Sequence, residues 1–442
     1  MGFNDILKGF VEIHQTRSRL EKDKIFKKLI HKEKDLLKTV LLYTFDPFQN
    51  YYVSLEENDY TFDKNPEFSM KWDMAWSPLQ KFLDKCKKKD LTGNAARDAL
   101  KKVVGGVPKD YRYWIMRIVN RDLKIGLSSK TIQKYIPGLL PFVEPMRCGT
   151  LDIKNKKQDF SKYEGWFAEP KYDGLRATVL IDDKGRSTII SRKGKPMWNC
   201  GVILDEIQKL KLKSEVFDGE IFGKDWNKTL STVHTQSEKK FKDLKFNIFD
   251  LVPLDEWLAK KATVKLRKRK SALQKLIGGP KKFHALRNTP NTLIPTGVTR
   301  KDLKKIMEKY LRNGFEGIVM KNPRSVYSWK RSKDWLKVKP VYEGDFKIVD
   351  FKKGTGKHRK VLGAIFVQGK IKWKGMEWKI YSRVGSGFSD KQRKEIWKSP
   401  KRYLGKTVQV EFQEVSKKKN RKMEGYHALR FGVFVRLRPD KD

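Results

Sequence analysis

The sequence predicts a multidomain α+β protein: a helical N-terminal region, an α/β middle and a small C-terminal β-barrel. Three observations predict it. The apolar period changes to that of strands near residue 165, the mixed region of strands and helices gives way to further short strands near residue 340, and the 442 residues suffice for two to four domains. Up to about residue 148, runs such as "NDILKGFVEIHQ" and "KDLLKTVLLYTF" place apolar residues three and four apart, the spacing of one helix face. Thr92-Gly93-Asn94 opens a further helix that Gly105-Gly106 closes, and "YRYWIMRIVNRDLKIGLS" continues the pattern to Gly126. Pro137, Pro141 and Pro145 punctuate the exit, and Met146–Thr150 reads as a linker. From about residue 165, "LRATVLID", "STIISR", "VFDGEIFG", "FNIFDLV" and "GIVMKN" are short β-rich runs, with helical stretches between them. After Pro340 come more short strands, from "DFKIVDFKKG" to "FGVFVRL", at the spacing of a small barrel.

Charge narrows the function classes. Lys plus Arg total 99 against 52 Asp plus Glu, a formal net charge of +47. Clustered cations release counterions when they neutralise phosphates, so a polyanionic partner is favoured; a membrane surface and simple compositional bias are the alternatives. Cys86, Cys148 and Cys200 lie far apart and form no CxxC pair, which argues against disulfides and a cysteine zinc site and for a reducing cytoplasm. The six histidines show no metal-ligand spacing. No apolar run approaches a membrane span, no signal-peptide pattern opens the chain, and Ile6 spoils a myristoylation motif at Gly2.

Glu169-Pro170-Lys171-Tyr172-Asp173-Gly174-Leu175-Arg176 is the densest chemical signal. A lysine between Pro and Asp-Gly sits in a turn between strands, where its amine can project into a cleft. An amine attacks only when unprotonated, and nearby cations with partial burial are expected to favour that form. Alone, the motif also fits an ordinary charged surface turn.

It is not alone. In order along the chain follow Ser191-Arg192-Lys193-Gly194, Asp218-Gly219-Glu220, Phe249-Asp250, Glu316-Gly317-Ile318-Val319-Met320-Lys321, Trp335-Leu336-Lys337-Val338-Lys339 and Arg436-Leu437-Arg438-Pro439-Asp440-Lys441. With Lys171–Gly174 these blocks resemble the collinear motifs of the nucleotidyltransferase superfamily of ATP-dependent ligases and mRNA capping enzymes. In the N-terminal region, "LTGNAARDALKKV" and Asn120–Ser128 resemble the helical DNA-binding domain of ATP-dependent DNA ligases, and the order of domains with "YIPGLLPFVEPM" looks most like the compact bacteriophage T-even type. The resemblance covers nearly the whole chain. It implies an all-helical DNA-binding domain (1–148), an α/β nucleotidyltransferase domain of ATP-grasp-like adenylation type (149–341) and an OB-fold barrel (342–442).

The resemblance also implies roles. Lys171 would attack the α-phosphate of ATP. Glu169 would help recognise the adenine amino group, Phe249 would stack on the purine, and Arg176 and Glu220 would reach the ribose. Glu220 and Glu316 would lie at a magnesium ion, with manganese as a substitute. Lys337 and Lys339, two apart on a strand, would share one face and clamp the α-phosphate. Arg436, Asp440 and Lys441 would orient the leaving pyrophosphate. Arg192 would bind the 5′-phosphate of a nick, while Asn94, Arg121 and Lys124 would contact the DNA backbone without reading bases.

The implied activity is nick sealing in replication, repair and recombination, by a monomer in a bacterial or phage-infected cytoplasm. Rivals are an RNA or capping nucleotidyltransferase and a non-catalytic basic DNA-binding protein. Gly354-Thr355-Gly356-Lys357 lacks the ending and setting of a P-loop. Gly432 departs from the resembling pattern, where proline is frequent, and is expected to loosen the last strand. The surplus basic charge is expected to help DNA binding persist as salt rises.

Overall fold

The computed structural model describes residues 2–54, 56, 76–153, 158–223, 229, 233, 243–278, 282–373, 375–419 and 423–442. Two compact units result, Met1–Lys337 and Val338–Asp442.

The first unit opens with helices whose apolar spacing dictates what they bury. α1 (Phe3–Gln15) turns Phe3, Ile6, Leu7, Phe10 and Ile13 inward. α2 (Arg19–Lys32) starts where the Ser18 side chain accepts from the Glu21 N–H, and α3 (Lys34–Phe45) follows directly. α4 (Trp76–Lys88) buries Trp76, Leu79, Phe82, Leu83 and Cys86. α5 (Gly93–Gly105), α6 (Lys109–Val119) and α7 (Ser129–Tyr135) complete the region, the last capped by Ser128. Their core does not stop at residue 148. It continues through Leu180, Phe249, Val252, Trp257, Tyr327 and Trp335.

Two five-stranded sheets carry the rest of this unit. One has the order β1-β10-β9-β2-β8 and the other β4-β3-β5-β6-β7. The strands are β1 (Arg147–Thr150), β2 (Phe167–Pro170), β3 (Leu175–Ile181), β4 (Ser187–Ser191) and β5 (Glu215–Phe222). Then come β6 (Lys245–Pro253), β7 (Leu286–Asn288), β8 (Thr292–Leu293), β9 (Ile318–Lys321) and β10 (Arg331–Val338). The expected linker at Met146–Thr150 is corrected here. Its last four residues form β1, paired in parallel with β10.

The second unit is one curled sheet of order β15-β16-β13-β12-β11-β14-β17. Its strands are β11 (Tyr342–Lys353), β12 (Leu362–Trp373), β13 (Met376–Val384), β14 (Thr407–Phe412), β15 (Glu414–Lys419), β16 (His427–Arg430) and β17 (Val433–Leu437). A bridge from Ser386 to Val433 draws the β13 side of the sheet toward β17, around a core that includes Phe346, Ile365, Val367, Val408 and Val410. The architecture is consistent with an OB-fold. A helix, Asp390–Lys398, starts at a full Ser389–Gln392 capping box. Gly432 lies between β16 and β17, immediately before the last strand.

Candidate active site

A cleft of about 100 Å³ in the first unit is lined from both of its sheets. Glu169 and Lys171 come from the end of β2, Arg176 from β3, Glu220 from β5, Phe249 from β6, Lys321 from β9, and Trp335 and Lys337 from β10. Residues spread over 169 positions converge because β2 and β9 pair antiparallel while β3, β5 and β6 pair in sequence.

Lys171 follows β2 directly. Its N–H donates to the Gly317 carbonyl and its own carbonyl accepts from the Glu316 N–H, both at 3.0 Å, so the ladder continues past the named strands. Its Nζ lies 2.5 Å from a Glu316 carboxylate oxygen. The sequence suggested cations as the amine's immediate company; the structure places an anion there. Gly174 is required by close approach, since a Cβ would meet the Ile221 carbonyl at 2.6 Å and the Glu220 side chain at 2.8 Å. That contact explains why Lys171 and Glu220 can share one small space. Burial pushes the Glu220 carboxyl up to about 7, against the pull of Arg176 and Lys171.

Arg176 is clamped. Its Nε and Nη2 donate to the two oxygens of Asp218 at 2.6 Å each, and Asp218 is wholly buried. The Tyr327 hydroxyl donates to Asp218 at 2.6 Å and accepts the Met146 N–H at 2.9 Å. The guanidinium rests 4.6 Å from the centre of the Phe249 ring, and the Lys321 ammonium lies 4.4 Å from it. Phe249 also meets Trp335 edge to face at 5.8 Å.

The Glu169 carboxylate is 2.7 Å from the Lys321 amine and 2.9 Å from that of Lys270, with all three groups buried. Burial pulls the Lys321 ammonium below the ordinary lysine range, with Lys270 adding to the fall. Lys321 stood inside a motif block without being singled out, and Lys270 was missed. A signal for it existed. The helix Leu266–Ile277 buries Leu266, Arg269, Lys270, Leu273 and Ile277, so two cations occupy the apolar stripe. Arg269 uses that position to grip buried Asp250 through two bonds of 2.7 and 2.9 Å.

Among the described residues, no three His, Cys, Asp or Glu side chains cluster as a metal site. Glu220 and Glu316 nonetheless feel each other's charge beside Lys171. Two carboxylate oxygen donors, with phosphate oxygens from a nucleotide, suit magnesium, which rarely takes an all-protein cage.

Lys337 lines the cleft, but β10 ends at Val338, so the two-residue alternation does not extend to Lys339. Lys339 belongs to the second unit, where its amine lies 5.7 Å from the Phe431 ring. The tail of that unit is ordered as a 3-10 turn, Pro439–Lys441. Lys441 lies 2.6 Å from Asp345. Arg438 contacts Asp345 at 3.1 Å and Asp440 at 2.7 Å, and its hydrogen bond holds the Asp440 carboxyl down at about 2. Arg436 instead donates to Gln409 at 2.9 Å. Arg438 is thus the arginine that joins Asp440 and Lys441, and the sequence reading passed over it.

The N-terminal candidates divide. Asn94 in the first turn of α5 and Lys124 are exposed, as is Arg192 on the turn after β4. Arg121 is corrected: it is 4% exposed, donates to the carbonyls of Gln49 and Asp46, and stacks 4.8 Å from the Trp198 ring. Its guanidinium faces the interior, not a DNA backbone.

Comparisons agree with this geometry. The ATP dependent DNA ligase domain family matches residues 145–339, and the DNA ligase OB-like domain family matches residues 353–438. The DNA ligase of Enterobacteria phage T4 is 27% identical over 99% of this chain and 96% of its own length. DNA ligase 2 of Methanosarcina acetivorans is 28% identical over 64% of this chain and 54% of its own. A solved structure described as Pmar-Lig_PreS3 superposes with a TM-score of 0.59, at 27% identity over 98% of this chain and 99% of that one.

Proposed function

The chain belongs to the ATP-dependent DNA ligase family, and from that premise we propose that Lys171 is the residue adenylated during nick sealing. One observation carries the assignment: the Lys171 amine, ion-paired at 2.5 Å with the Glu316 carboxylate, shares the cleft with Glu220, Arg176 and Lys337. A nucleophile, a proton acceptor and phosphate-binding cations therefore share one space.

The steps follow from those positions. The Lys171 amine attacks the α-phosphorus of ATP, the bond to the bridging oxygen breaks, pyrophosphate leaves, and Glu316 receives the amine proton. At a nick, an oxygen of the 5′-phosphate attacks the same phosphorus. The P–N bond breaks and the lysine departs as an amine, regaining a proton. The 3′-hydroxyl then attacks the 5′-phosphorus and gives its proton to solvent, the P–O bond to the AMP phosphate breaks, the phosphodiester forms and AMP leaves. Glu220 and Glu316 would hold a magnesium ion, which supplies charge neutralisation at the triphosphate.

Arg176, steadied by Asp218, is positioned to bind ribose. Glu169, ion-paired with Lys270 and Lys321, recognises the base. Arg176 and Lys321 lie over the Phe249 ring, so purine stacking on a face that either occupies requires that cation to shift. Arg438, Asp440 and Lys441 of the barrel, with Arg436, serve the leaving pyrophosphate, and Lys337 and Lys339 serve the α-phosphate. Residues 1–148, 149–341 and 342–442 act as three functional segments on nicked duplex DNA, Asn94, Lys124 and Arg192 meeting its backbone. The working form is a monomer in the cytoplasm.

Incubation with α-labelled ATP or GTP and magnesium tests the reading. Label should appear from ATP alone, on Lys171 by mass spectrometry, and vanish in Lys171→Ala. An adduct on another residue, or nick joining by the alanine variant, overturns it.

A further inference from the structure

The segment Asn120–Lys124 resembles a DNA-contacting motif, yet two of its side chains, Arg121 and Asp122, turn to other parts of the protein. We propose that it is a brace, holding the turn that carries Arg192 in position to receive the 5′-phosphate. The inference rests on Arg192 being the 5′-phosphate ligand.

Three contacts converge on that turn from the helical region. The Asp122 carboxylate is 2.8 Å from the Lys195 amine, and 3.6 Å from Arg117 behind it. Burial opposes the Asp122 charge, but Lys195, the Lys124 N–H and Arg117 together hold the carboxyl below its usual range. Arg121, tied to two backbone carbonyls, stacks on Trp198 beyond the turn. Phe142 presses on Gly194, whose φ of +78° and missing side chain are both needed: a Cβ there would sit 2.7 Å from the ring. Inside the turn, the Gly194 N–H donates to the Ser191 carbonyl and the Ser191 N–H to the Lys195 carbonyl, both at 2.8 Å. Arg192 is left exposed at the tip.

A guanidinium binds phosphate well only when its planar fork is presented at a fixed angle, and a long side chain on a loose turn cannot present one. Bracing the backbone on both sides supplies the angle. The brace lies on the DNA side of the reaction, so its loss should appear in AMP transfer to DNA and not in the reaction with ATP.

Asp122→Asn, Lys195→Met, the double variant and the exchanged pair Asp122→Lys/Lys195→Asp test this in the full chain. Single-turnover adenylation with labelled ATP is measured first. AMP transfer from the preadenylated protein to a 5′-phosphorylated nick is measured second. The pair is partly exposed, so transfer should slow about fivefold in either single variant, no further in the double, and recover in the exchanged pair. Adenylation should match the parent, which also reports intact folding. Asp122→Asn is decisive because it makes the protein more positive: general attraction for DNA predicts faster transfer, the brace slower. Unchanged or faster transfer in that variant, or equal slowing of both steps, overturns the brace. Arg192→Ala separates the two readings. If it transfers AMP normally, the assignment of Arg192 fails; if it loses transfer while Asp122→Asn keeps it, only the brace fails.

Discussion

The cleft of the first unit and the tail of the second both crowd acids against bases, yet they do so in opposite surroundings. In and behind the cleft, Asp218, Asp250 and Glu169 meet Arg176, Arg269, Lys270 and Lys321 where water hardly reaches. In the tail, Asp440 keeps 57% of its side-chain surface in solvent beside Arg438, and Lys441 keeps 49% beside Asp345. A sealed pair cannot be halved cheaply, because the survivor is an unpaired buried charge; an exposed pair can be dissolved by salt. One region uses charge to build a rigid site, the other to make a contact that can be exchanged for phosphate.

Breaking the comparison at its strongest point removes the chemistry. Lys171→Ala should abolish labelling and ligation while leaving the thermal melt unchanged, since its partner Glu316 is still partly in solvent. Next in size, Asp250→Ala strands Arg269 and should cost about 3–5 kcal/mol of stability in urea unfolding. A loss under 1 kcal/mol would mean the buried pair is poorly coupled.

The Glu220 carboxyl, raised to about 7 by burial, sharpens the contrast through pH. If the ionised form serves the nucleotide, adenylation should climb as pH rises through 7. Stability runs the other way. Between the ordinary carboxylate range and 7 the folded chain keeps a proton that the unfolded chain releases, so stability declines as pH rises across that window. Glu220→Gln should remove that decline while depressing adenylation at every pH; a parallel pH trend in the variant's melting temperature would refute the assignment.

Smallest is the tail. Asp345→Asn should leave the melt within error, and its effect on adenylation should shrink as salt is raised. Across the whole surface, a charge-reduced variant should show a shallower salt dependence of nick affinity, and identical slopes would make the +47 charge merely compositional.

Much of the site was legible because its residues stand in short motifs at strand ends, where order along the chain and strand pairing do the assembling. Lys171, Arg176, Glu220, Phe249 and Lys337 could be gathered on paper for that reason. What stayed hidden depended on burial. Arg121 and Lys270 look like ordinary solvated cations until a neighbour covers them, and only the apolar period of the helix around Lys270 betrays it. Lys339 was misplaced by one strand end, a boundary that alternation alone does not fix. β1 was unreadable for another reason: four residues carry little periodicity, and the strand that defines them lies far along the chain.

That last distance has a consequence during synthesis. Arg331, which bonds the Cys148 carbonyl, is 183 residues further on. At typical elongation rates a ribosome needs on the order of ten to forty seconds to reach it. For that interval the nascent helical region has emerged with its trailing strand unmatched, so the catalytic sheet can close only after most of the first unit has been translated.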